Sequence, residues 1–245
     1  MKKINLVLAL LGVAVLFFAG CEQTTTDNIS KVTNFPDFEM AGDAVIWHHL
    51  GDVFTDPGCT ATEAGKDITV TTTISSRYKG NTDFDENDAD EYTYTYSAIN
   101  GDGFPGSVTR TVYVAKVGDL TTSIEGIYTA DVKRNGVITA QYMGLEYIYI
   151  WKLSANTYGI SDAIGGYYAQ GRGYGDNYLA SDCIITANDI PTNDFSFNTF
   201  SVGTFGGVAE MKSMIVDPVA KTIVFTTDWD AGPYTFEVTL TQVQF

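Results

Sequence analysis

Between Gly165 and Tyr178 the chain carries four tyrosines, Tyr167, Tyr168, Tyr174 and Tyr178, interleaved with five glycines and with Arg172, Asp176 and Asn177. Aromatic rings stack on the C–H faces of sugars, while guanidinium, carboxylate and amide groups hydrogen-bond the hydroxyls. Trp229 adds the broadest ring, in Asp228-Trp229-Asp230-Ala231-Gly232-Pro233-Tyr234, which reads as a hairpin loop. These residues form the candidate ligand site, and the chemistry points to a neutral polysaccharide or oligosaccharide. Five glycines suggest a mobile segment that leaves its tyrosines exposed. The same tyrosines would also suit the rim of a barrel core, because tyrosine is commonly only partly buried.

Other chemistries are weaker. His48 and His49 are the only histidines. Neighbours on a strand point to opposite faces, so they cannot grip one metal together. The second half of the chain has no histidine, which excludes a Ser-His-Asp triad or a histidine-ligated zinc hydrolase there. Asp83, Asp85, Glu86, Asp88, Asp90 and Glu91 offer hard oxygen ligands, but the order is not that of an EF-hand loop: Asp88 stands where glycine belongs, and Tyr94 where glutamate belongs. A solvated charge run is the plainer reading. Asp228 and Asp230 flank Trp229 and would lie on one side only if the segment stayed extended. The Gly-Pro that follows reads as a hairpin loop, so a carboxylate-dependent glycoside hydrolase is the weakest of the functional readings. No catalytic residue, metal or cofactor is assigned, and the chain is not expected to be an enzyme.

Cys21 carries a different chemistry. Lys2 and Lys3 open the chain, an apolar run extends from Val7 to Phe18, and Ala19-Gly20-Cys21 follows. This is the layout of a secretory signal, too short for a spanning helix of roughly 20 apolar residues. The small-small-Cys ending resembles the lipobox of bacterial lipoproteins, with Phe18 where leucine is usual. The resemblance implies cleavage before Cys21 and acylation of its sulfur and new amino group, palmitate included. Stable anchoring needs more than one acyl chain, which a triacylated cysteine supplies. Glu22 and Asp27 resemble the acidic residues that follow the lipidated cysteine in surface-exported lipoproteins of Bacteroidetes.

The net charge is −16. It repels nucleic acid and anionic lipid, so neither is an expected partner beyond the lipid anchor itself. Cys59 and Cys183, the other cysteines, fall in separate predicted domains and read as small apolar residues rather than a disulfide.

The elements that must position these residues are strands. Residues 1–20 are the signal and 21–40 a polar tether. Within 41–117, Asp67–Ile74, Tyr92–Tyr96 and Val108–Val114 alternate with period two, and Asn100-Gly101-Asp102-Gly103 is a turn. Strands at this spacing argue a sandwich. Gly51-Asp52-Val53-Phe54-Thr55-Asp56-Pro57-Gly58-Cys59-Thr60-Ala61, Tyr92–Ala98 and Thr109–Val114 resemble three motifs of the bacterial immunoglobulin-like (Ig-like) repeats, which serve as spacers and adhesive platforms.

Gly118–Ser123 reads as a protease-sensitive linker between two separable domains. Residues 124–245 alternate again, with Leu145, Tyr147, Tyr149, Trp151 and Leu153 on one face of a strand and Glu146, Ile148, Ile150 and Lys152 on the other. No segment has helical periodicity. The fold class is all-β: an N-terminal Ig-like β-sandwich followed by a C-terminal antiparallel β-barrel or sandwich. The arrangement resembles outer-membrane lipoproteins of Bacteroidetes polysaccharide-utilisation loci. That resemblance implies an outer-membrane, cell-surface protein that captures glycan for a neighbouring transporter complex. A structural or adhesive lipoprotein binding another envelope protein is the alternative.

Overall fold

A computed structural model describes residues 32–245; the signal, Cys21 and most of the predicted tether lie outside them. The first domain is a sandwich of two sheets. Strands β1 (Asp37–Met40), β3 (Cys59–Glu63) and β4 (Lys66–Ile68) form one sheet in the order β1-β3-β4. Strands β2 (Val45–His49), β5 (Thr71–Ser76), β6 (Asp90–Ile99) and β7 (Pro105–Ala115) form the other, in the order β2-β7-β6-β5 with β2 parallel to β7. The alternation along β6 puts Tyr92, Tyr94 and Tyr96 inward, where they pack with Val112, Val114, Ile46 and Cys59. Arg110 is fully buried in this layer. It pairs with Asp56 and donates to the Tyr96 hydroxyl at 2.8 Å and to the Asp43 carbonyl at 3.0 Å, which satisfies a charge that would otherwise be costly to bury.

The tether expected to reach residue 40 ends earlier. β1 pairs with β3, Asn100 Nδ2 donates to the Asn34 carbonyl, and Phe35 packs against Phe104. The strand Asp37-Phe38-Glu39-Met40 does alternate, with Phe38 and Met40 half-buried, but its four residues directly follow a polar stretch and read as part of it.

The second domain contains β8 (Gly126–Arg134), β9 (Leu145–Lys152), β10 (Thr157–Ile160), β11 (Ile184–Asp189), β12 (Asp194–Phe197), β13 (Thr199–Val202), β14 (Gly206–Asp217), β15 (Thr222–Trp229) and β16 (Tyr234–Gln242). They make one antiparallel nine-stranded sheet, ordered β12-β11-β10-β9-β8-β16-β15-β14-β13. Two meanders, β8–β12 and β13–β16, join through the β8–β16 pair. The sheet curls into a nearly closed barrel. The gap lies where β12 approaches β14, and the Val216 N–H donates to Asn193 Oδ1 across it at 2.7 Å. Inward residues of every strand, Tyr128, Ile148, Ile150, Tyr158, Ile185, Phe225, Phe236 and Val238 among them, fill one core.

The two domains are not separated by a flexible linker. Leu120 is buried, its N–H donates to the Ser123 carbonyl, and Asp119 accepts from the N–H groups of Thr121, Thr122 and Ser123. Gln242 Nε2 donates to the Gly118 carbonyl at 2.9 Å. A Cβ on Gly118 would fall 2.4 Å from the Ser123 carbonyl oxygen, so glycine serves close packing there. An aromatic cluster joins the domains: Trp47 and Tyr113 of the first meet Tyr147 and Phe245 of the second, with ring centroids 5.1–5.3 Å apart across the junction. Tyr149 donates its hydroxyl to the Asp90 carbonyl.

Candidate functional site

Most of the predicted aromatic residues converge on one end of the barrel. The segment after β10 folds back over the core and forms a single π-helical turn at Tyr167–Gly171, closed by bonds from the Gly171 N–H to the Gly166 carbonyl and from the Arg172 N–H to the Tyr167 carbonyl. Gly165 has φ +68°, and a Cβ there would meet Val238 and Val132 at 2.7 and 2.8 Å. This glycine is required by contact with the barrel wall.

The consequence for the tyrosines corrects the expectation of an exposed loop. Tyr167 and Tyr168 are core residues. Tyr167 stacks on Tyr142 at 4.0 Å, and Tyr168 packs edge-on against Phe205, Trp229 and Phe236. Trp229 is 5 % exposed at the end of β15, points into the barrel, and donates its indole N–H to the Gly206 carbonyl at 3.0 Å. Its faces are spent on packing. Tyr174 is 48 % exposed and Tyr178 half-buried; with Phe205, 44 % exposed, they form an open aromatic rim with centroids 4.7–6.2 Å apart.

The polar candidates separate. Asp176 is taken by Arg77 of the Ig-like domain. Arg172 lies 5.8 Å from the centroids of both Tyr142 and Tyr167, and Asn177 is exposed beside the rim, its carbonyl accepting from Thr204.

Two grooves open at this end, and Tyr234 borders both. Sequence reasoning missed Tyr234, although its register opposite Trp229 follows from the hairpin. The larger groove, ≈ 410 Å³, is lined by Trp229, Tyr234, Glu210, Lys212, Asp228 and Asp230 with Val208, Pro233 and Thr235. Asp228 accepts from the Thr235 hydroxyl at 2.7 Å and Asp230 from the Val208 N–H at 2.8 Å. Asp228 lies directly opposite Glu210, and Lys212 pairs with Glu210. The smaller, ≈ 230 Å³, is lined by Arg134, Asn135, Val137, Thr139, Tyr142, Tyr167 and Tyr234.

Elsewhere the candidates serve the fold. His48 Nε2 lies 2.9 Å from the Asp52 carbonyl, and His49 stacks on Phe245. In the acidic loop Asp88 pairs with Lys79, Glu91 with Arg77, and the buried Asp90 accepts from the N–H groups of Tyr78, Lys79 and Glu91. Among the described residues no group of three or more His, Cys, Asp or Glu side chains is placed to hold a metal. Cys59 and Cys183 are free thiols, and burial pushes the Cys183 thiol up to about 12. Burial also raises Asp162, fully enclosed behind the π-helical turn, to about 7, with its Oδ2 unpaired.

A family model for a bacterial surface protein Ig-like domain matches residues 38–114, and one for a C-terminal domain matches 117–242. Among solved structures, the crystal structure of the lipoprotein BT2262 from Bacteroides thetaiotaomicron aligns with 30 % identity and a TM-score of 0.60, over 85 % of this chain and 100 % of that one. The chain belongs to the family of that lipoprotein. The two matched regions correspond to the two parts observed in this chain, the Ig-like sandwich and the nearly closed barrel. No curated protein matches.

Proposed function

We propose that this lipoprotein is anchored through acylated Cys21 in the outer membrane, faces the cell surface, and binds glycan at the barrel end, without catalysis. It would capture polysaccharide for a neighbouring transporter complex. The observation that carries the reading is the ≈ 410 Å³ groove, in which the edges of Tyr234 and Trp229 adjoin Asp228, Asp230, Glu210 and Lys212. A ring wall with convergent acceptors and one cation suits a polyhydroxylated ligand. The exposed Tyr174–Phe205 rim extends this surface. The reading assigns no catalytic role to Asp228 and Asp230, which accept from the Thr235 hydroxyl and the Val208 N–H respectively.

The test is a glycan array on the full-length protein, followed by calorimetry. Tyr234→Ala and Asp228→Asn should each weaken binding about tenfold or more. Silence across the array would favour the adhesive alternative, for which the apolar row Tyr174, Phe205 and Val208 is the supporting feature.

A further inference from the structure

We propose that the smaller cleft beside Tyr234 is an anion subsite that recognises a carboxylate or sulfate group carried on a sugar. This deepens the glycan reading and rests on it. The chain has only four arginines, Arg77, Arg110, Arg134 and Arg172. In a protein of net charge −16, each would be expected to find a carboxylate. Arg77 and Arg110 do. Among the described residues Arg134 and Arg172 enter no ion pair; Arg134 lines this cleft, and Arg172 approaches two of its lining rings, those of Tyr142 and Tyr167.

Arg134 lies over the rings of Tyr167 and Tyr234, 5.0 and 4.5 Å from their centroids. Tyr142 in turn stacks on Tyr167. Stacking on two rings fixes the guanidinium plane without using its N–H groups. Among the described residues only one donor has an acceptor, the Tyr168 hydroxyl at 3.5 Å. None of the remaining nitrogens is both buried and unsatisfied, so they reach solvent in the cleft. A planar fork held in place with free donors is the group that binds carboxylate or sulfate in bidentate fashion. Arg172, at the edge of the Tyr142–Tyr167 stack, adds a second positive charge. No Asp or Glu lines this cleft, whereas three line the neighbouring groove across Tyr234. One ligand spanning both grooves would place hydroxyls against the carboxylates and its anionic group against the arginines.

The experiment uses the full-length protein with polygalacturonate, its fully methyl-esterified form, dextran sulfate, a neutral glucan, and phosphatidylglycerol vesicles. Polygalacturonate or dextran sulfate should bind at least about tenfold more tightly than the neutral polymers, and binding should weaken with added salt. Which of the two binds identifies carboxylate or sulfate. Arg172→Gln, at an exposed position, should abolish most of that advantage without changing the melting temperature. Arg134→Lys should do the same, because it keeps the charge and loses the fork. Equal binding of acid and ester polymers would overturn the subsite and leave the glycan reading intact. Failure of every polymer would overturn both. Arginine-dependent binding to vesicles alone would make the cleft a membrane contact and overturn the proposal.

Discussion

Arg77 of the Ig-like domain forks onto both carboxylate oxygens of Asp176 in the barrel, through Nε at 3.0 Å and a terminal nitrogen at 2.9 Å. The residue expected to contact ligand instead ties the rim to the neighbouring domain. The same guanidinium reaches Glu91 at 2.9 Å, so three side chains from two domains share one charge centre.

The first expectation concerns that junction. Arg77→Ala should cost about 1 kcal/mol, since the pair is partly exposed and screened. Trp47→Ala should cost more, because the indole meets Tyr113, Tyr147 and Phe245 at once. Limited proteolysis of the wild type should leave residues 118–123 uncut. Trp47→Ala should make that turn accessible, and early cleavage there in the wild type would contradict the joined-domain account.

Trp229→Ala should be a folding lesion. An indole 5 % exposed and packed on Tyr168, Phe205 and Tyr234 leaves a large cavity on truncation, worth about 3–5 kcal/mol. Chemical denaturation measures the loss. A variant as stable as wild type would place the ring outside the core.

Asp162 should make stability depend on pH. Burial raises its folded-state value to about 7, whereas the unfolded chain has an ordinary carboxylate near 4. The folded state therefore holds a proton that the unfolded state releases. This contribution is intact below about pH 4 and is lost as pH rises through about 7. Asp162→Asn should flatten that slope and raise the melting temperature at pH 8 relative to wild type. Parallel pH–melting curves for the two proteins would refute it.

Cys21→Ala should release the protein from the membrane fraction. Retention after a high-salt wash would contradict acylation at this position.

How far the sequence reveals this molecule depends on what each pattern leaves unsaid. Tyr92-Thr93-Tyr94-Thr95-Tyr96 states its own outcome: alternate rings enter the sandwich and the threonines line the other face. β9 does not. Ile148 and Ile150 fill the barrel, while Tyr147, Tyr149 and Trp151 pack towards the Ig-like domain. A strand apolar on both faces needs two partners, and nothing local says that the second is another domain. The glycine-rich segment misleads for a similar reason. Gly165 is there because Val132 and Val238 press against it, not because the chain moves. The aromatic cluster was legible as a set of residues. Which of them keep a free face was not, because that depends on Phe205, Tyr234 and Arg134 arriving from distant parts of the chain.

The pairing of β8 with β16 has a kinetic meaning. Lys133 and Glu237, cross-strand neighbours, are 104 positions apart in the chain. β8 can pair with β9 as soon as that strand follows it, but its other edge stays open until β16 has emerged. Such long-range closure is entropically late. A polypeptide exported from its amino end would complete its sandwich first, with β7 ending at Ala115. The barrel would stay open until translocation had delivered β16, and only after that could Phe245 pack on Trp47.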